Sequence, residues 1–182
     1  MLAFITDPHS NFGKKHTFRI SNLQLLKTLP DLLCNNTADE ILAMPDFTER
    51  VEAYKKDIKE YNKILLNNTN VAGVAVIIDF RGMEHIPIGN GFLEYVLYPV
   101  QNISIRAVDG KNQQFVTISL GHSIINRTSD VDVGHLTLGY GGGGHKRAGA
   151  CHVSYENSDK IIQKMLQVIN NRNVNQDSCE IC

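Results

Sequence analysis

The sequence predicts an α/β fold: a mixed β-sheet with flanking helices, preceded by a helical N-terminal segment. Three observations carry that reading. Apolar residues in the first third recur at three- and four-residue spacing, the period of helices with one buried face. After Asn70 short β-branched runs take over, interrupted by helical stretches, in the order β-α-β-β-α-loop-β-α. Helices interleaved with strands in that order pack as layers on a sheet. The 182 residues suffice for one core with a helical appendage. We therefore divide the chain into a helical lead-in and linker (1–70), an α/β domain (71–170) and a polar flexible tail (171–182).

Ser21 is placed to cap a helix running through Leu23, Leu25, Leu26, Leu29, Leu32 and Leu33, which Pro30 is expected to kink or split. A second short helix is expected near Asp39. A longer one is expected over 47–66, where Phe47, Val51, Tyr54, Ile58, Tyr61 and Leu65 share a face and lysines and glutamates fill the other. The apolar run 71–78 is β-branched like a buried strand and far short of the roughly 20 residues that span a bilayer. Strands are expected over 74–80, 102–108 and 114–121, the last two forming an antiparallel hairpin at Asp109-Gly110. Helices over 92–97 and 158–169, a short helix capped by Asp132 and a strand over 150–155 complete the set.

A net charge of −1 supplies no global positive field, so any polyanion must be held locally. The N-terminus lacks the basic stretch and longer apolar stretch of a secretory signal. Of four cysteines, Cys34 and Cys151 are internal, while Cys179 and Cys182 form a terminal C-x-x-C with no second pair. That is no disulfide framework, and it fits a reducing cytoplasm with the terminal pair in an unstructured tail.

The densest signal is Gly141-Gly142-Gly143-Gly144, followed at once by His145, Lys146 and Arg147. Each glycine inside an element costs about 0.5–1 kcal/mol relative to alanine, so a run of them points to backbone that must approach something closely. Successive glycines at positive φ can aim their N–H groups into one concavity, the geometry of an anion-binding nest. Gly139, Gly141 and Gly144 also satisfy G-x-G-x-x-G, but a dinucleotide fingerprint follows a strand and opens a helix, and here the order is reversed. A Walker loop fails as well, because His145-Lys146-Arg147 stands where Lys and Ser/Thr are needed.

Arg127, just ahead of the Asp132-capped helix, is positioned to close a guanidinium fork on the same anion, or else to pair with Asp130 or Asp132. The His145 imidazole can donate a hydrogen bond to a phosphate or a proton to a leaving oxygen. Arg106 sits on a β-like stretch, on a face the sequence leaves open. Asp7-Pro8-His9 and Asp130-Val131-Asp132 look like fragments of carboxylate metal sites without the convergent ligands that two-metal hydrolysis needs. No residue is assigned as a metal ligand.

Arg127-Thr128-Ser129, Asp132-Val133 and Gly141-Gly142-Gly143-Gly144-His145-Lys146-Arg147-Ala148-Gly149 together resemble the C-terminal, DHH-associated domain of the DHH phosphoesterase superfamily. Within it the likeness is to exopolyphosphatase-related and oligoribonuclease-like proteins, over about 71–169. The resemblance implies a substrate-binding lobe. Its glycine loop maps to Gly141, Gly142, Gly143 and Gly144, its histidine to His145 and its arginine to Arg127. It implies that the divalent metal, usually manganese, belongs to a DHH catalytic domain whose Asp-His-His motif this sequence lacks, so that this chain itself carries no cofactor. One departure is that Ala148-Gly149-Ala150 follows Lys146-Arg147 where the family commonly reads Ala-Ala-Gly or Ala-Ser-Gly.

The function so implied is binding of a phosphate-containing substrate, such as short RNA, a nucleotide or polyphosphate, in concert with a separate DHH catalytic domain and away from membranes. The alternative is a free-standing nucleotide- or RNA-end-binding module without catalysis.

Overall fold

Residues 1–8, 11–86 and 88–177 are described in the computed structural model. Contacts group the chain into two units, Met1–Lys63 with Pro87–Gly89, and Ile64–Ile86 with Asn90–Cys182.

The first unit is helical: α1 (Leu2–Thr6), α2 (Asn11–Lys15), α3 (Asn22–Asn35), α4 (Ala38–Leu42) and most of α5 (Pro45–Asn67). Capping boxes start two of them, Ser21 with Gln24 on α3 and Thr37 with Glu40 on α4, each satisfying backbone donors that a helix start leaves bare. α3 runs unbroken past Pro30, forgoing the one hydrogen bond a proline cannot donate. Ile5, Phe12, Leu25, Ile41 and Phe47 form the core.

Arg50 of α5 is fully buried, at 0% exposure. Its Nε donates to Asn22 Oδ1 at 3.0 Å, Nη1 to the Asp46 carbonyl at 2.7 Å and Nη2 to the Ile20 carbonyl. The Phe18 ring lies 4.2 Å from the guanidinium carbon. A buried charge is tolerable only when its donors are met in this way.

The second unit holds β1 (Thr69–Ala72), β2 (Ala75–Asp79), α6 (Leu93–Leu97), β3 (Ile103–Asp109), β4 (Val116–His122), α7 (Val133–Leu138), β5 (Gly143–His145), β6 (Ala148–Val153) and α8 (Ser158–Asp177). The strands make one mixed sheet in the order β1-β2-β3-β4-β6-β5, with β2 and β3 parallel and every other pair antiparallel. The apolar run 71–78 is two strands, because Gly73 at φ +63° reverses the chain and Ala72 pairs with Ala75. The expected β3–β4 hairpin forms, but the reversal falls one step later, on a 3-10 turn at Lys111–Gln113 with Asn112 and Gln113 at positive φ. α8 runs beyond Ile169, where the apolar pattern stops, and takes in 171–177 of the expected tail, since extending a nucleated helix costs little. Cys179 and Cys182 lie outside the described residues, as does His9. Among the described residues no helix is long and apolar enough to cross a membrane.

Alternation along the strands sorts the sheet into two faces. Ile103, Ile105, Ile118, Leu120, Cys151 and Val153 bury one face against Val133 of α7 and Ile162, Met165, Leu166 and Ile169 of α8. The opposite face is small and polar on β3, β4 and β6, beside the buried Val76 and Ile78 of β2, and the candidate site lies on it.

Candidate functional site

Strand register lays two rows of residues across the polar face. One runs His145, Ala148, Gly121, Ser104 and Val76; the next runs Gly143, Ala150, Ser119, Arg106 and Ile78. Small residues fill the middle of both rows, with a histidine ending one row and an arginine set into the other; over Gly121 and the buried Ser104 lies the Tyr95 side chain. This answers the question left open for Arg106, which stands on the polar face.

The glycine run is part loop and part strand. Its first two amides are committed, Gly141 N–H to the Leu138 carbonyl and Gly142 N–H to the Thr137 carbonyl, both at 3.0 Å, and they close the C-terminus of α7. Positive φ occurs at Gly141 (+76°) and Gly144 (+154°), not along the whole run. Close packing explains more of the glycine. A Cβ on Gly142 would strike the Ala150 carbonyl, and one on Gly144 would lie 2.5 Å from the Gly149 Cα. On α7, a Cβ on Gly134 would lie 2.7 Å from the His145 carbonyl. Gly143 differs, because its missing Cβ faces open space. The Thr137 hydroxyl, wholly buried, lies within hydrogen-bond reach of the Val133, Gly134 and Gly143 carbonyls and ties α7 to the run.

His145 is exposed on the edge strand, one residue before the Lys146-Arg147 turn into β6. Arg127 is exposed in the loop between β4 and α7, and its Nε donates to the Ile124 carbonyl at 3.1 Å. Among the described residues it makes no ion pair with Asp132. The loop around it is firmly tied: Ser123 Oγ accepts from the amides of Ile125 and Asn126, and Asn126 Nδ2 donates to the Val100 carbonyl. Asp132 caps α7 by accepting from the His135 amide at 2.8 Å. That carboxylate is therefore engaged in helix capping, and among the described residues no three His, Cys, Asp or Glu side chains converge as metal ligands.

Sequence reasoning missed a cavity of about 260 Å³ on the polar face, lined by Phe92, Glu94, Ser104, Arg106, Gly121 and Arg147 among others. α6 supplies one wall. Tyr95 and Ser104 share a 2.7 Å hydrogen bond between hydroxyls, and Arg106 Nη2 donates to Glu94 Oε1 at 2.9 Å. Glu94 is 2% exposed and, among the described residues, its Oε2 has no hydrogen-bond partner. Burial pushes its carboxyl above the usual carboxylate range, against the opposing pull of Arg106. The available signal was the alternation of Ser104 and Arg106 with Ile103, Ile105 and Ala107, which marks a polar face on an otherwise apolar strand.

No family model matches the chain. The fold and 38% of the sequence are shared with the pGpG-specific phosphodiesterase PggH of Vibrio cholerae, at a TM-score of 0.89 over 93% of this chain and 58% of that one. An exopolyphosphatase-related protein of Bacteroides fragilis shares the fold, with a TM-score of 0.53 and 17% identity over 81% of this chain and 44% of that one. A curated relative, the sulfite reductase [NADPH] flavoprotein alpha-component of Zymomonas mobilis, is 25% identical over 126 residues, 68% of this chain and 18% of that protein. The chain thus spans little more than half of PggH and under a fifth of the Zymomonas protein. The mixed sheet with its glycine-rich edge and the likeness to PggH agree with the motif: the chain contains a DHH-associated domain of the phosphoesterase superfamily, preceded by a helical segment.

Proposed function

We propose that the chain is the substrate-binding lobe of a DHH-family phosphoesterase acting in the reducing cytoplasm. It holds a short phosphate-containing substrate, such as short RNA, a nucleotide or polyphosphate, on the polar face of its sheet. The observation that carries this reading is the 38% identity to a pGpG-specific phosphodiesterase along nearly the whole chain. The small-residue rows, with exposed His145 at the edge and open space at Gly143, support it. Arg127, Gly141, Gly142, Gly143, Gly144 and His145 form the phosphate-binding set, in which the guanidinium and imidazole contribute charge and hydrogen bonds and the glycines allow close approach. The divalent metal, with manganese as the expected ion, belongs to a DHH catalytic domain outside this set.

Calorimetric titration with pGpG, a short oligoribonucleotide and polyphosphate tests the proposal. A charge-assisted contact contributes about 1.5–3 kcal/mol, so Arg127→Ala should weaken binding roughly ten- to a hundredfold and leave the melting temperature unchanged. Equal affinity for wild type and variant would remove Arg127 from the site. No binding of any of the three by wild type would overturn the reading.

A further inference from the structure

We propose that the cavity between α6 and the β5–β6 turn is a nucleobase pocket that selects guanine, with Glu94, Arg147 and Phe92 as its reading residues. The inference rests on the substrate-binding reading above and names the part of the substrate recognised.

At about 260 Å³ the cavity falls just below the range of roughly 300–1,000 Å³ typical of sites for drug-sized ligands. Its walls carry complementary chemistry. From α6, Glu94 presents a carboxylate held through Oε1 by Arg106, while Oε2 has no hydrogen-bond partner among the described residues although Glu94 is only 2% exposed, an arrangement that is costly unless a donor arrives. From the hairpin turn comes Arg147, exposed and, among the described residues, without a side-chain hydrogen bond or ion pair. Phe92 also lines the cavity and is 53% exposed, an aromatic face on which a base can stack.

Guanine matches this polarity. Its N1–H and N2 amino group are adjacent donors for a carboxylate, and its O6 and N7 are adjacent acceptors for a guanidinium. Adenine presents an acceptor at N1 and a bare carbon at C2, which would leave Glu94 Oε2 unpaired. Phosphate is a poor occupant, because it would face the Glu94 carboxylate. A nucleotide therefore fits with its base in this cavity and its phosphate toward the glycine edge, where His145 ends the row that also holds Gly121 and Ser104.

The test is competitive binding of pGpG against pApA, and of GMP, IMP and AMP, to wild type, Glu94→Gln, Phe92→Ala and Arg127→Ala. Wild type should prefer pGpG at least tenfold, with IMP, which lacks the N2 amino group, between GMP and AMP. Glu94→Gln should collapse the preference. Phe92→Ala should weaken both dinucleotides while preserving their ratio, and because Phe92 is exposed it remains informative should Glu94→Gln fold poorly. Equal wild-type binding of pGpG and pApA, with both weakened by Arg127→Ala, would overturn the base pocket and leave the phosphate-binding reading standing. Failure of every nucleotide to bind wild type would overturn both.

Discussion

At Gly143 and Gly144 the same substitution should give opposite results. Gly144 sits at φ +154° with backbone packed where a Cβ would go, so Gly144→Ala should destabilise by more than about 1 kcal/mol. Gly143 has neither constraint, so Gly143→Ala should stay within about 0.5 kcal/mol of wild type in denaturant unfolding. A loss of nucleotide affinity in that variant would then report ligand contact with the backbone at Gly143, and unchanged affinity would move the ligand elsewhere. Glu94 makes a second residue-scale prediction. Because burial raises its folded-state pKa, the folded protein binds more protons than the unfolded chain from about pH 4.3 upward, until the raised pKa is passed. That contribution is present below the window and is lost as pH rises through it. The melting temperature of Glu94→Gln minus that of wild type should therefore grow as pH rises from 4, and a constant difference would refute the assignment. The glycines, Arg127 and His145 were legible as candidates because their types and adjacency are unusual in sequence. Glu94 was not, because the pair it forms with Arg106 joins a helix to a strand and leaves no local pattern.

Among elements, the contact of α7 with the β5–β6 hairpin decides the shape of the glycine edge. Gly149 lies where a Cβ would come within 2.6 Å of Thr137 Oγ1 and 2.8 Å of the Val133 carbonyl. Gly149→Ala should push α7 away at a cost of about 1–3 kcal/mol. Amide exchange should show protection falling in α7 and β5 first, and uniform loss across the sheet would contradict the local account. The long-period elements were readable from sequence: α3 with its Ser21 cap, α5, α7 with its Asp132 cap, and the strands that became β2, β3, β4 and β6. β1 and β5 were not. β1 was merged into an apolar run that only the Gly73 turn divides, and β5 consists of residues with low strand propensity held in place by pairing with β6.

At the scale of the whole molecule, binding and hydrolysis should separate. Two-metal phosphodiester cleavage needs several convergent ligands, so this chain with manganese should not turn over pGpG, and adding a metal-bearing DHH domain should restore hydrolysis. Turnover that survives repurification and disappears with Asp7→Ala would locate a metal site in this chain. The buried Arg50 has a different consequence, for where the chain tolerates being cut. Its guanidinium is met by Ile20 and Asn22 on one segment and by Asp46 on another. A shortened protein that begins after Asn22 would keep the charge and lose two of its acceptors, so the safe starting point for a minimal fragment lies either upstream of Phe18 or beyond α5 altogether.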